Sequence, residues 1–351
     1  QVEAIKSELP DDPNIEEILN RIRLYKELIG QSDDLEYCGI KGHENARKLD
    51  IEVCQKISET VGTLPGNIDP HIILAHFIRS LHTDREHPIE LFTTNYDLII
   101  EHAFESAQLP YFDGFVGSVS PFFIQESVEA QLKKEKGLHH YPPRSWTRLW
   151  KVHGSINWEM DEIKNQIVRR LSATKAEKQE LMIFPSREKY SQSRKLPFIT
   201  LQDRLREFLS SGEVLLVIHG YSFSDEHLNE IIFQSLRANQ HLSIITFVFE
   251  DLPESYEQYS KDCRNLSFYA PDKLCIGGIV SEWTEPSLEK KKEIDWPFWD
   301  NENKKFILGD FIQFASYLET FIGFKSQNIA RSSDTDIKEG TEQREDAKDE
   351  K

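Results

Sequence analysis

Three short apolar runs in this chain each break into a polar turn, and their order constrains the fold more than any other feature. Leu91-Phe92 leads into Thr93-Thr94-Asn95-Tyr96-Asp97. Leu149–Val152 leads into His153-Gly154-Ser155, within the string Lys151-Val152-His153-Gly154-Ser155. Val214–Ile218 leads into Gly220-Tyr221-Ser222-Phe223-Ser224-Asp225-Glu226-His227. Near-continuous apolar strands of this kind belong to parallel sheets with both faces covered. In open α/β sheets, ligands sit beyond the carboxyl ends of such strands. The three turns are therefore expected to share one site.

The intervening periodicity supports the same architecture. Residues 14–28 carry an apolar stripe (Ile15, Ile18, Leu19, Ile22, Leu24) at helical spacing. Residues 69–81 read as a second helix, with Asp69 as cap, Pro70 at the first helical position and Ile73, Phe77, Ile78 and Leu81 on the inner face. Leu91–Thr94 is a strand and Asp97–Ser106 a helix with Leu98, Ile99 and Phe104 inward. Leu149–Val152 and Leu181–Phe184 are strands, and Leu201–Ser210 is a helix ended by Gly212. Val214–Ile218 reads as a buried strand. Ser224 reads as the cap of a helix with Asp225 and Glu226 in its first turn and Leu228, Ile231, Ile232, Ser235 and Leu236 on its inner face. Ile244–Phe249 is a further strand. The expected fold is α/β and Rossmann-like: a mostly parallel sheet with helices on both faces.

The expected domain spans 1–325, with helical insertions at about 1–90 and 110–147. The stretch 123–146, charged and broken by Pro142-Pro143, is placed near the mouth of the site. Residues 284–305 are irregular, yet Trp283, Trp296, Phe298 and Trp299 gather there, as core packing or as a partner surface. Residues 306–324 return to an amphipathic helix. From Ser326 to 351 the composition is that of a disordered tail.

Composition narrows the function classes. The formal charge of -18 at pH 7 argues against direct nucleic-acid binding through bulk charge. Cys38, Cys54, Cys263 and Cys275 include no C-x-x-C pair, so a four-cysteine zinc site is not expected, and reduced thiols suit a cytoplasmic protein. No apolar run approaches the ~20 residues of a membrane span.

The strings TTNYD, KVHGSINW and GYSFSDEHLNEI, together with Phe184-Pro185-Ser186-Arg187-Glu188-Lys189-Tyr190, resemble the ordered signature of the sirtuin-like superfamily. They are most similar to its prokaryotic NAD⁺ hydrolases of antiphage defence, and the economy of a chain expected to end soon after the catalytic fold, with no appended sensor or large repeat domain, resembles the type encoded beside a HerA-type hexameric ATPase. The resemblance covers roughly residues 10–250. It implies a sirtuin-like fold, NAD⁺ as substrate, no metal, a homo-oligomer and the ATPase as partner; the four-cysteine zinc ribbon that deacylases of the family carry is not expected, because this sequence lacks its spacing. Such families open on a strand and a G-A-G-x-S/T loop that cradles pyrophosphate. No such loop occurs in this sequence, so a segment upstream of Gln1 is expected to supply it.

Within that resemblance, Asn95 and His153 are the catalytic candidates. Asn95 would orient water or ribose hydroxyls through an amide that both donates and accepts; taken alone it also suits a strand-end turn. His153 would act as general base, where a lone histidine at a strand end is otherwise a hydrogen-bonded structural residue. Thr94, Asp97, Gly154, Gly220, Tyr221 and Ser222 are the candidates for binding NAD⁺. Asp97 alone reads equally as a helix cap. His139-His140 reads as solvated and His227 as a helix-end residue. Three rival functions stand beside NAD⁺ hydrolysis: a protein deacylase, a non-catalytic NAD⁺ or ADP-ribose scaffold, and a nuclease component of the same complex.

Overall fold

The computed structural model describes residues 1–9, 13, 15–81, 87–129, 142–161, 163–171, 196–284 and 297–322. The expected strand Leu181–Phe184, the string Phe184–Tyr190, His139-His140, Trp296 and the tail from Ser326 lie outside these residues.

The chain opens with α1 (Val2–Lys6), α2 (Ile15–Ile29), the hairpin β1 (Glu36–Tyr37) and β2 (Ile40–Lys41), α3 (His43–Val61) and α4 (Asp69–Ser80). Next come β3 (Glu90–Thr93), α5 (Ile99–Ser106), β4 (Tyr111–Phe112), β5 (Phe115–Val116), β6 (Phe122–Phe123), α6 (Gln125–Glu129), β7 (Thr147–Lys151), β8 (Trp158–Asp161) and β9 (Gln166–Arg169). Then follow α7 (Phe198–Leu209), β10 (Val214–His219), α8 (Glu226–Ala238), β11 (Leu242–Phe247), α9 (Glu254–Asp262), β12 (Leu266–Tyr269), β13 (Lys273–Ile276), β14 (Ile279–Glu282), β15 (Trp299–Asp300), β16 (Lys305–Phe306) and α10 (Phe311–Glu319).

Two sheets carry the three motif strands. One is parallel throughout, in the order β3-β7-β4. The other runs β10-β11-β12-β13-β14, with β10, β11 and β12 parallel and the last two strands antiparallel. The same helices tie the sheets together. On one side, α7 holds β3 through an Arg204–Glu90 ion pair and a Phe208–Phe92 ring contact at 5.4 Å, and also packs on β10. On the other, α4 and α10 pack against each other. There Phe311 lies 4.6 Å from the His71 ring and 5.3 Å from that of His219, at the end of β10. The main core fills the layer of Leu201, Leu205 and Leu209 from α7, Ile231, Ile232 and Leu236 from α8, and Leu242, Ile244, Leu266 and Phe268 from the sheet.

The expected apolar faces of α8 and α7 are buried, because their periodicity matches the sheet they cover. Several local expectations give way. Ser224 does not cap α8: Asp225 does, its Oδ1 accepting the N–H groups of His227 (3.0 Å) and Leu228 (3.1 Å). Asp69 makes no side-chain cap on α4, and its own N–H donates to Asn67 Oδ1 at 2.7 Å. Helix α5 starts at Ile99 rather than Asp97, whose carboxylate closes a short turn by accepting the Ile99 N–H at 2.8 Å. The C-terminal helix is confined to Phe311–Glu319, since 305–306 form a strand edge. Ile15, Leu24 and Leu81 are exposed.

The strand Val214–Ile218 is not buried throughout: Leu215 is 60% and Val217 45% exposed. They alternate with Leu216 and Ile218, which face the core, and β10 ends its sheet among the described residues. Residues 110–129, placed in a helical insertion by the sequence, hold β4, β5, β6 and the short α6. The tryptophan-rich stretch packs on the far end of the sheet. Trp283 stacks on Phe306 (5.1 Å, 13°), lies edge-on to Trp299 at 6.1 Å and donates its indole N–H to the Ala270 carbonyl at 2.8 Å.

Candidate functional site

The parallel register fixes which turns meet. Thr93 lies opposite Lys151 at the carboxyl ends of β3 and β7, so the turns after them emerge side by side. The Val152 N–H donates to the Thr93 carbonyl at 3.0 Å and the Ile156 N–H to the Tyr96 carbonyl at 2.9 Å. The Ser155 hydroxyl reaches the same Tyr96 oxygen at 3.5 Å. Across these joined turns lie the N-terminal helices: Leu19 of α2 and Cys54 of α3 pack on Ile156, with Tyr96 and Leu98 against the same cluster.

The first turn is held from both ends. The Asn95 N–H donates to Thr93 Oγ1 at 3.0 Å, leaving the Asn95 side chain exposed beyond the strand. The Asp97 carbonyl accepts from Lys151 Nζ, which also donates to Glu101 Oε1 at 2.8 Å. The Lys151 side chain is 3% exposed and that of Glu101 15%, so this is a buried ion pair directly beneath the turn. Thr94 and Asp97 are half-buried beside Asn95.

The second and third turns meet through side chains. His153 Nε2 lies 3.0 Å from Asp225 Oδ2, the two side chains 11% and 9% exposed. Asp225 therefore contacts the histidine with one oxygen and caps α8 with the other. A tight turn, with the Gly154 N–H on the Lys151 carbonyl at 3.0 Å and Gly154 at φ +88°, sends the chain away directly after His153. Gly220 has φ +67°, and a Cβ built on it meets nothing within 4 Å, so the backbone borders open space where a ligand can approach. Ser222 Oγ lies 2.8 Å from Ser224 Oγ, and the Ser222 carbonyl accepts from the Tyr256 hydroxyl at 2.6 Å.

Tyr221 turns inward. Its hydroxyl donates to Asn229 Oδ1 at 2.8 Å, and its ring packs 4.9 Å from that of Phe223. It buttresses the turn from below, whereas Gly220 and Ser222 form its outer surface. His227 lends its backbone N–H to the Asp225 cap.

Three residues at this site escaped the sequence analysis: Asp225 as a partner of His153, and the pair Lys151 and Glu101. The signal for Lys151 is a cation at the end of the strand Thr147–Lys151, since a charge in a buried strand requires a buried partner. For Asp225 it was an acid one residue before the helix, where capping residues stand.

Among the described residues, no group of three or more His, Cys, Asp or Glu is arranged to hold a metal ion. The four cysteines are separate: Cys54 lies among the N-terminal helices, Cys263 and Cys275 in the main core, and Cys38 in the turn of the β1–β2 hairpin. No described helix is long and apolar enough to cross a membrane.

No curated protein matches the chain. Residues 89–266, which run from the start of β3 to the first residue of β12 and enclose all three turns, match the SIR2-like domain family. SIR2-like domains use NAD⁺, and the parallel strands with their strand-end turns are those of a sirtuin-like, Rossmann-type fold. With more than half of its 351 residues in that match, the chain belongs to the SIR2-like domain family.

Proposed function

We propose that this protein hydrolyses NAD⁺ to nicotinamide and ADP-ribose. The observation that carries the reading is the meeting of the three strand-end turns. It sets His153 beside an open-faced Gly220 turn and next to the turn that displays Asn95. The C1′–N bond to nicotinamide breaks with its electron pair leaving on the pyridine nitrogen, and the ribose acquires oxocarbenium character. Water adds to C1′ and surrenders a proton. Asn95 suits orienting that water or the ribose hydroxyls, and His153 suits taking the proton. Gly220 and Ser222 offer backbone and hydroxyl groups to the dinucleotide, with Thr94 and Asp97 flanking Asn95, while the buried Gly154, its N–H on the Lys151 carbonyl, shapes the turn after His153.

The biological setting in this reading is antiphage defence by NAD⁺ depletion, as a homo-oligomer in complex with a HerA-type ATPase. The strings TTNYD, KVHGSINW and GYSFSDEHLNEI support the defence setting through their resemblance; the homo-oligomer and the ATPase are what that resemblance implies. The test is nicotinamide release from NAD⁺ by the full-length protein, alone and with the ATPase. Wild type should turn over in at least one condition. Asn95→Ala should lose about 10²-fold and His153→Ala about 10²–10⁴-fold in kcat. A folded wild type that releases no nicotinamide in either condition refutes the reading.

A further inference from the structure

We infer that Asp225 is the positioning residue for His153 and that the proton-accepting atom of the site is His153 Nδ1. This inference rests on the NAD⁺ hydrolase reading of the same site. Its ground is the division of labour within one carboxylate. Asp225 Oδ1 accepts two backbone N–H groups of α8, at 3.0 and 3.1 Å, which locks the side chain in place. Oδ2 then stands 3.0 Å from His153 Nε2 with both side chains nearly buried. A carboxylate can only accept, so neutral His153 must carry its proton on Nε2. The lone pair is thereby fixed on Nδ1, away from Asp225.

The same contact holds the ring plane. Helix α8 is anchored in the core by Leu228, Ile231 and Ile232, so the imidazole is referred to a rigid element rather than to its own turn. When Nδ1 takes a proton from water, the positive charge on the ring faces a carboxylate already in contact with it. The proton is then released from Nδ1 to solvent, and Asp225 serves only as acceptor of the Nε2–H bond. Asp225 thus acts through His153 and has no contact with substrate in this scheme.

Asp225→Asn separates this role from helix capping. Asparagine caps as well as aspartate, so its carbonyl oxygen stays on the His227 and Leu228 N–H groups. Its NH₂ then faces Nε2, which must become an acceptor, and the proton moves to Nδ1. The experiment has two arms on the full-length protein. Imidazole ¹⁵N shifts, assigned to His153 by loss in His153→Ala, read the tautomer. Nicotinamide release reads kcat and KM. Expected are Nε2–H in wild type, Nδ1–H in Asp225→Asn, a kcat lower by roughly 10²–10⁴-fold, a KM for NAD⁺ within a few-fold of wild type and an unchanged thermal midpoint. Asp225→Ser, which caps but offers no carboxylate, should also lose turnover without unfolding. An Nδ1–H tautomer in wild type, or a wild-type kcat in Asp225→Asn, overturns the inference. If wild type releases no nicotinamide, the hydrolase reading fails by itself and the tautomer arm still decides the positioning.

Discussion

Replacing Lys151 with methionine tests the frame beneath the site most directly. Methionine fills nearly the same volume and removes the one charge. Lys151 Nζ donates to the Asp97 carbonyl and to Glu101 Oε1 at 2.8 Å, while Glu101 Oε2 has no hydrogen-bond partner among the described residues. Without the lysine, the Glu101 side chain, 15% exposed, remains as a buried carboxylate stripped of its counter-ion. Breaking a buried pair from one side costs about 3–5 kcal/mol. The released Asp97 carbonyl adds about 1 kcal/mol. Removing both charges, in Lys151→Met with Glu101→Leu, eliminates the uncompensated carboxylate and should recover most of the loss, because apolar replacement of a buried pair is often neutral or better. The assay is urea unfolding of wild type, both single variants and the double variant, with midpoints compared at a shared m-value. The cycle should give a coupling of at least about 2 kcal/mol. A loss below about 1 kcal/mol in Lys151→Met, or a double variant as unstable as the single, refutes the buried-pair argument.

Two further predictions concern the packing that joins the sheets. Burial pulls the pKa of His71 and of His219 below the ordinary 6.5, opposed at His71 by Asp97 and at His219 by the Leu308 carbonyl and Asp310. Folded pKa values below the unfolded ones mean that the unfolded chain binds more protons in that window. Stability present above pH 6.5 is therefore lost as pH falls toward the folded values, by up to about 1.4 kcal/mol per pH unit for each histidine. The urea midpoint should drop as pH is lowered through this range. The double variant His71→Gln/His219→Phe should flatten the drop; an unchanged slope refutes the assignment. Gly309→Ala would set a Cβ 2.0 Å from the Val248 carbonyl oxygen, forcing α10 off the end of β11. A loss of about 3 kcal/mol is expected in thermal unfolding, and a variant within about 0.5 kcal/mol of wild type would contradict the close approach.

Much of the architecture was legible because its signals are local. The stripes of α7 and α8 repeat at the helical period, and the sheet buries what that period selects. The strand-end turns could be placed because the apolar runs break at Asn95, Gly154 and Gly220; the chain comes to the surface at Asn95 and Gly220, whereas Gly154 stays buried. Caps and boundaries were less legible. Ser224 and Asp225 are both capping residues by type; Asp225 caps the helix while its second oxygen meets His153, and the Ser224 hydroxyl lies against Ser222. The exposure of Leu215 and Val217 could not be read from composition, since an end strand and a central strand share the same apolar sequence.

The sequence by itself determined the strand-to-turn punctuation, the helical faces and the residue types on offer at each turn, because these depend on neighbours within a few residues. Tertiary structure alone decided which of those residues meet. Lys151 found Glu101 because the β3–β7 register brings α5 over β7, and His153 found Asp225 because the parallel sheet and the mixed sheet share α7 and the α4–α10 pair. Contacts across 50 or 72 positions of chain are set by register and helix packing, and no local pattern encodes them.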